Sequence, residues 1–96
     1  MIDLFIGVII IELLLKDAFN IKDRRNILSS IINKIRGQYN ASIADISEEI
    51  LYNKATIAIS TVANSKSAVE KFMDKVYNFI SNNYSIEILH IERQIL

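Results

Sequence analysis

Leu4-Phe5-Ile6-Gly7-Val8-Ile9-Ile10-Ile11-Glu12-Leu13-Leu14-Leu15, followed by a helical pattern that opens at Asn20, decides the fold of this 96-residue chain. Alternate residues of a strand point to opposite faces, so Ile9, Ile11 and Leu13 share one face and Val8, Ile10 and Glu12 the other. Both faces are largely apolar, which is the pattern of a central strand. Neither a targeting segment nor a membrane span fits the run. Met1-Ile2-Asp3 lacks the positive start of a signal peptide, and Glu12 interrupts the run well before the roughly 18 apolar residues that a membrane span needs. A core strand of a cytoplasmic protein, without a membrane partner, is therefore the expectation.

Downstream, Ile27, Leu28, Ile31, Ile32 and Ile35 recur at helical spacing, with Lys22, Arg25, Ser29, Asn33 and Arg36 on the opposite side. Asn20 with Asp23 resembles a capping box, and Gly37 after Arg36 is the expected terminator of a helix over 21–36. Residues 39–46 and 55–63 alternate and are joined by a short polar connector, which reads as an antiparallel hairpin. A second helix, with Ser67 as its cap and Glu70 behind it, presents Val69, Phe72, Met73, Val76, Phe79 and Ile80 and ends near Asn82-Asn83. A final strand runs over 86–95. The order β-α-β-β-α-β predicts a ferredoxin-like α+β sandwich, with a four-stranded, mainly antiparallel sheet in the order 4-1-3-2 and both helices on one face. No repeat, linker or low-complexity tract interrupts it, so residues 1–96 read as one domain.

Eleven Lys and Arg balance eleven Asp and Glu, so no global field draws the chain to nucleic acid or to an anionic membrane. The absence of Cys removes disulfides, thiolate metal sites and a Cys nucleophile. Two separated glycines build no phosphate loop, and no Gly-x-Ser-x-Gly elbow occurs. His90, the only histidine, shares a strand face with Glu92, and Glu12 can approach if the first and last strands are neighbours. A polar strip on the outer sheet face accounts for these three better than a metal site does, and no metal or other cofactor is expected. Hydrophobic residues make up 51% of the chain and mean hydropathy is +0.26, on the apolar side for a small monomer. With Val8, Ile10, Ala44 and Ala58 on the sheet face that two helices leave bare, a homodimer or higher homo-oligomer is expected.

Arg24 is the residue out of pattern, because it falls in the apolar stripe one turn ahead of Ile27 and Leu28. A cation there must either reach past the end of the sheet to water or find a carboxylate or phosphate partner, and Asp45 and Glu48 are the candidate mates for a structural ion pair. The topology brings the start of the first helix, the end of the second strand and the start of the third to one end of the molecule. Lys22, Arg24, Arg25, Tyr52 and Lys54 converge there as candidate RNA- or anion-binding residues.

The same positions carry a family resemblance. Asn20-Ile21-Lys22-Asp23-Arg24-Arg25 is similar to the S-L-K-D-K-R element of the YlxP-like proteins, a bacterial family known as domain of unknown function 503. Asn40-Ala41-Ser42-Ile43-Ala44-Asp45 resembles their N-V-S-V-A-E strand, and Leu51-Tyr52-Asn53-Lys54-Ala55 their L-W-Q-[RK]-A. The resemblance spans nearly the whole chain, with Tyr52 in place of Trp and Ile50 in place of Asp. It implies a ferredoxin-like fold, no established activity, and association with RNA or the ribosomal particle through genomic neighbourhood. The expected function is that of a non-enzymatic RNA- or ribosome-associated factor. The alternative is a homo-oligomeric interaction module without nucleic-acid binding, and a third reading is a small-anion-binding protein or enzyme.

Overall fold

Strand β1 (Phe5–Leu15) is hydrogen-bonded on both sides, to β3 (Lys54–Ala63) and to β4 (Ile86–Ile95). In the computed structural model, which describes residues 2–96, β3 also pairs with β2 (Ser42–Asp45), and every pairing is antiparallel. The sheet order is β2-β3-β1-β4, and helices α1 (Ile21–Gln38) and α2 (Lys66–Asn83) complete a ferredoxin-like α+β sandwich. This is the fold that the order of apolar patterns predicts.

The core follows from the strand period. Ile9, Ile11, Leu13 and Leu15 of β1 are fully buried together with Ile57 and Ile59 of β3. Leu28, Ile31 and Ile35 of α1 and Val69, Met73, Val76 and Ile80 of α2 cover them. Each helix thus buries one residue per turn, the narrow stripe expected of a helix lying on a sheet.

Four local features differ from the expectation, each for a physical reason. Helix α1 does not stop on Gly37, which has no left-handed φ, but runs on to Gln38. The stop is Tyr39, whose extended backbone bonds back to the Ile35 carbonyl at 2.9 Å while its ring packs edge-on against Phe72 and Phe79. Strand β2 is correspondingly shorter than the 39–46 expected, because Tyr39 serves as the cap and the Asn40 carbonyl accepts from the Thr61 hydroxyl instead of joining the ladder. The cap of α2 is Ser65 rather than Ser67. Its hydroxyl accepts from the Ala68 N–H at 3.2 Å, so the helix starts a little earlier without rotating the buried stripe. Strand β4 carries a bulge: Glu12 faces His90 while Leu13 faces Ile88, leaving Leu89 as the extra residue.

The two glycines differ in what a methyl group would meet. A Cβ at Gly7 would overlap Cγ1 of fully buried Val69, so this glycine allows α2 to lie close on β1, whereas a Cβ at Gly37 meets nothing within 4 Å. Gly7→Ala is expected to destabilise by about 1–3 kcal/mol through overpacking. Gly37→Ala is expected to stabilise by about 0.5 kcal/mol by restricting the unfolded chain. Urea unfolding of the two variants should show opposite signs; a stabilising Gly7→Ala would contradict the close packing of α2.

Candidate functional site

At the end of the molecule where α1 begins and the β2–β3 loop turns, Arg24 is buried by its place in the α1 stripe, with its side chain 7% exposed. A buried guanidinium needs acceptors, and three segments supply them. Its Nε donates to the Lys54 carbonyl at 3.0 Å, and Nη2 reaches Ser47 Oγ at 3.1 Å and Asp45 Oδ2 at 3.1 Å. Arg24 therefore ties the first turn of α1 to the end of β2 and the start of β3. Glu48, the other candidate mate, forms no ion pair among the described residues, and the partner is Asp45.

Ser47 is the member that sequence reasoning missed. Its hydroxyl donates to Asp45 Oδ1 at 2.6 Å and accepts from Arg24 and from the Thr56 N–H at 2.9 Å, using its one donor and both lone pairs. Its own N–H also donates to Asp45 Oδ1, at 3.0 Å. A carboxylate bonded to the N–H two residues on is a recognisable local signal in Asp45-Ile46-Ser47. The bond to Thr56 is long-range and leaves no mark in the sequence. Burial raises the tendency of Asp45 to protonate, but the Ser47 hydroxyl and N–H and the Arg24 charge outweigh it and hold the carboxyl below its ordinary value.

The other cations of the cluster do not form one patch. Lys22 and Arg25 are exposed on the outward side of α1. Arg25 lines a groove of about 450 Å³ between α1 and β2, whose walls include Leu28, Ile32, Arg36 and Ile50. Lys54 instead lines a shallow depression with Glu12, Glu48 and Glu49. The β2–β3 loop thus separates Lys54 from Arg25. Tyr52 is 46% exposed on that loop. Asp23 is occupied with the helix cap, where its N–H donates to Asn20 Oδ1 at 2.8 Å and its carboxylate accepts from the Phe19 N–H at 3.0 Å.

On the outer sheet face Val8 and Ile10 are half-buried, and Ala58 and Ala44 continue the row from Ile10. Glu12 faces His90 across the strands, and His90 Nε2 lies 3.1 Å from Glu92 Oε1 in the open. Among the described residues no three His, Asp or Glu side chains gather to hold a metal ion, and no helix is long and apolar enough to cross a membrane.

Fold and loop geometry together define a small α+β sandwich with an arginine-braced loop beside a basic helix. A family model described as "Protein of unknown function (DUF503)" matches residues 6–93, and the chain belongs to this family. It is similar to the "Uncharacterized protein YlxP" of Bacillus subtilis (strain 168), at 28% identity over 76 residues that cover 79% of this chain and 83% of that protein. Among solved structures it resembles "De novo designed protein Foldit4", with a TM-score of 0.55, 10% identity, and coverage of 97% of this chain and 96% of that one. At that identity the likeness concerns the fold alone.

Because the folded state holds Asp45 below its ordinary pKa, its contribution is complete above the carboxylate range and is lost as pH falls through the lowered value. Asp45→Asn is expected to be less stable than wild type near pH 6, with the gap closing as pH falls toward about 2. Arg24→Ala is expected to cost about 1–3 kcal/mol, by leaving its acceptors unpaired. Lys22→Ala and Arg25→Ala are expected to stay within about 0.5 kcal/mol of wild type. Urea titrations across this pH range check all four, and a pH-independent gap for Asp45→Asn would contradict the assignment.

Proposed function

We propose that this chain is a non-enzymatic binding protein whose working surface is the outward side of α1 with the adjoining loop, and whose partner is RNA or an RNA-bearing ribosomal particle. One observation carries the reading. In a chain of zero net charge, α1 holds Lys22, Arg24, Arg25, Lys34 and Arg36 against Asp23 alone. Arg24 is paired with Asp45, so the rest of this helix sets the four positive charges of Lys22, Arg25, Lys34 and Arg36 against the single carboxylate of Asp23. Near its first turn stand the exposed apolar side chains Phe19, Ile21 and Ile50, and the β2–β3 loop carries the exposed ring of Tyr52. Guanidinium forks match phosphate oxygens, and an exposed aromatic ring offers an unpaired base a stacking surface. Arg24 has no place in the contact itself; it positions the loop that carries Tyr52.

A second reading, association of identical chains, is supported by the outer sheet face, where Val8 and Ile10 lie opposite the helical layer. It is compatible with the first.

Sedimentation of the protein with ribosomal particles through a density gradient tests the RNA reading. Lys22→Ala with Arg25→Ala is expected to weaken co-sedimentation and flatten its salt dependence, since fewer counterions are released per contact. The same double change at Lys71 and Lys75 of α2 should have little effect. Equal losses from both pairs, or no association at low salt, would overturn the reading.

A further inference from the structure

A four-stranded open sheet has two edges, and this one treats them differently. The bond from the Ile46 N–H to the Thr56 carbonyl sets the alternation of the β2–β3 ladder, so Ile43 and Asp45 direct their backbone groups away from the sheet. That edge is protected: the strand has four residues, and Arg36 Nη2 donates to the outward Ile43 carbonyl at 3.3 Å. The β4 edge has ten residues. Leu96 and Ile6 exchange both backbone bonds, at 2.8 and 3.0 Å, so Gln94, Glu92 and His90 face β1 while Ile91, Arg93 and Ile95 turn their N–H and C=O groups outward. Among the described residues no side chain hydrogen-bonds to these outward groups. The bulge at Leu89 marks the start of this regular edge.

We propose that the β4 edge pairs antiparallel with the β4 edge of a second copy, about a two-fold axis at Arg93; this rests on the association of identical chains but puts its contact on the edge rather than on the Val8 and Ile10 face. Only this register uses all three outward residues, with Arg93 opposite the partner's Arg93 and Ile91 opposite the partner's Ile95. An axis at Glu92 sets that carboxylate against its own copy. An axis at Ile91 sets Arg93 against the bulge residue Leu89, outside the regular ladder. The side chains agree with the Arg93 axis. Ile91 and Ile95, each half-buried on the helix side, gain an apolar neighbour across the new ladder. Glu92 falls opposite the partner's Gln94. Arg93 arrives already neutralised, held by Asp74 Oδ1 at 2.6 Å and resting 5.8 Å from the Tyr77 ring centroid. An isologous contact of this kind closes on itself, joins two sheets into one and removes the exposed edge.

Light scattering of the purified full chain over a concentration series provides the test. A dimer is expected for wild type. Arg93→Pro removes an N–H that the monomer does not use and is expected to raise the dimer dissociation constant at least about tenfold. Ile10→Glu, on the sheet face, is expected to leave the dimer intact. The chain has no cysteine, so a single introduced one reports the register. Arg93→Cys places two thiols across a hydrogen-bonded pair about 5.5 Å apart at Cα, within disulfide reach, and should yield a reducible covalent dimer in air. Gln94→Cys should not. A monomeric wild type overturns this contact and the oligomeric reading together. A dimer lost only in Ile10→Glu overturns the edge contact while keeping association through the face. If Arg93→Pro fails to fold, the two cysteine variants decide, and equal cross-linking of both overturns the register.

Discussion

One buried charge organises this molecule. Arg24 sits where the α1 stripe would otherwise place an aliphatic side chain, and a guanidinium removed from water is tolerated only when its donors are satisfied. Its acceptors come from Asp45 at the end of β2, Ser47 in the loop and the Lys54 carbonyl at the start of β3. Any arrangement that moved α1 along the sheet, or released the loop, would leave this charge unpaired. The apolar core specifies which faces meet, and the arginine specifies where along the strands α1 begins.

On the proposed reading, that division leaves the basic helix available to a partner. Of the cations on α1, Arg24 is withdrawn into the brace, while Lys22 and Arg25 remain at the surface beside a loop held in one shape. Exposed apolar side chains on a mobile loop would favour nonspecific association. Held by Ser47 and Arg24, they form a fixed contour next to positive charge, as the proposed recognition surface requires.

The fold was legible in the sequence because burial sets periodicity. Ile9, Ile11 and Leu13 on β1, and Leu28, Ile31 and Ile35 on α1, are buried where their spacing places them. The misplaced end of α1 has a tertiary cause. Gly37 is a good local stop signal, but the aromatic corner of Tyr39, Phe72 and Phe79 fixes the end of α1. At the site, the mismatch of Arg24 and its need of a mate, Asp45 or Glu48, could be read from the wheel and the topology, while the choice of Asp45 came from the structure. The role of Ser47 could not, because it depends on a bond to Thr56 across the hairpin. Nor could the separation of Lys54 from Arg25: topology assigns residues to an end of the molecule, but not to a side of a loop.

The central claim is that Arg24 and Asp45 act as one unit, and a double-mutant cycle measures this most directly. Arg24→Met, Asp45→Asn and the double variant would be unfolded in urea at neutral pH. The brace predicts a coupling of about 1–3 kcal/mol, the double variant losing far less than the sum of the single changes. Additivity within about 0.3–0.5 kcal/mol would show two independent residues and contradict the brace.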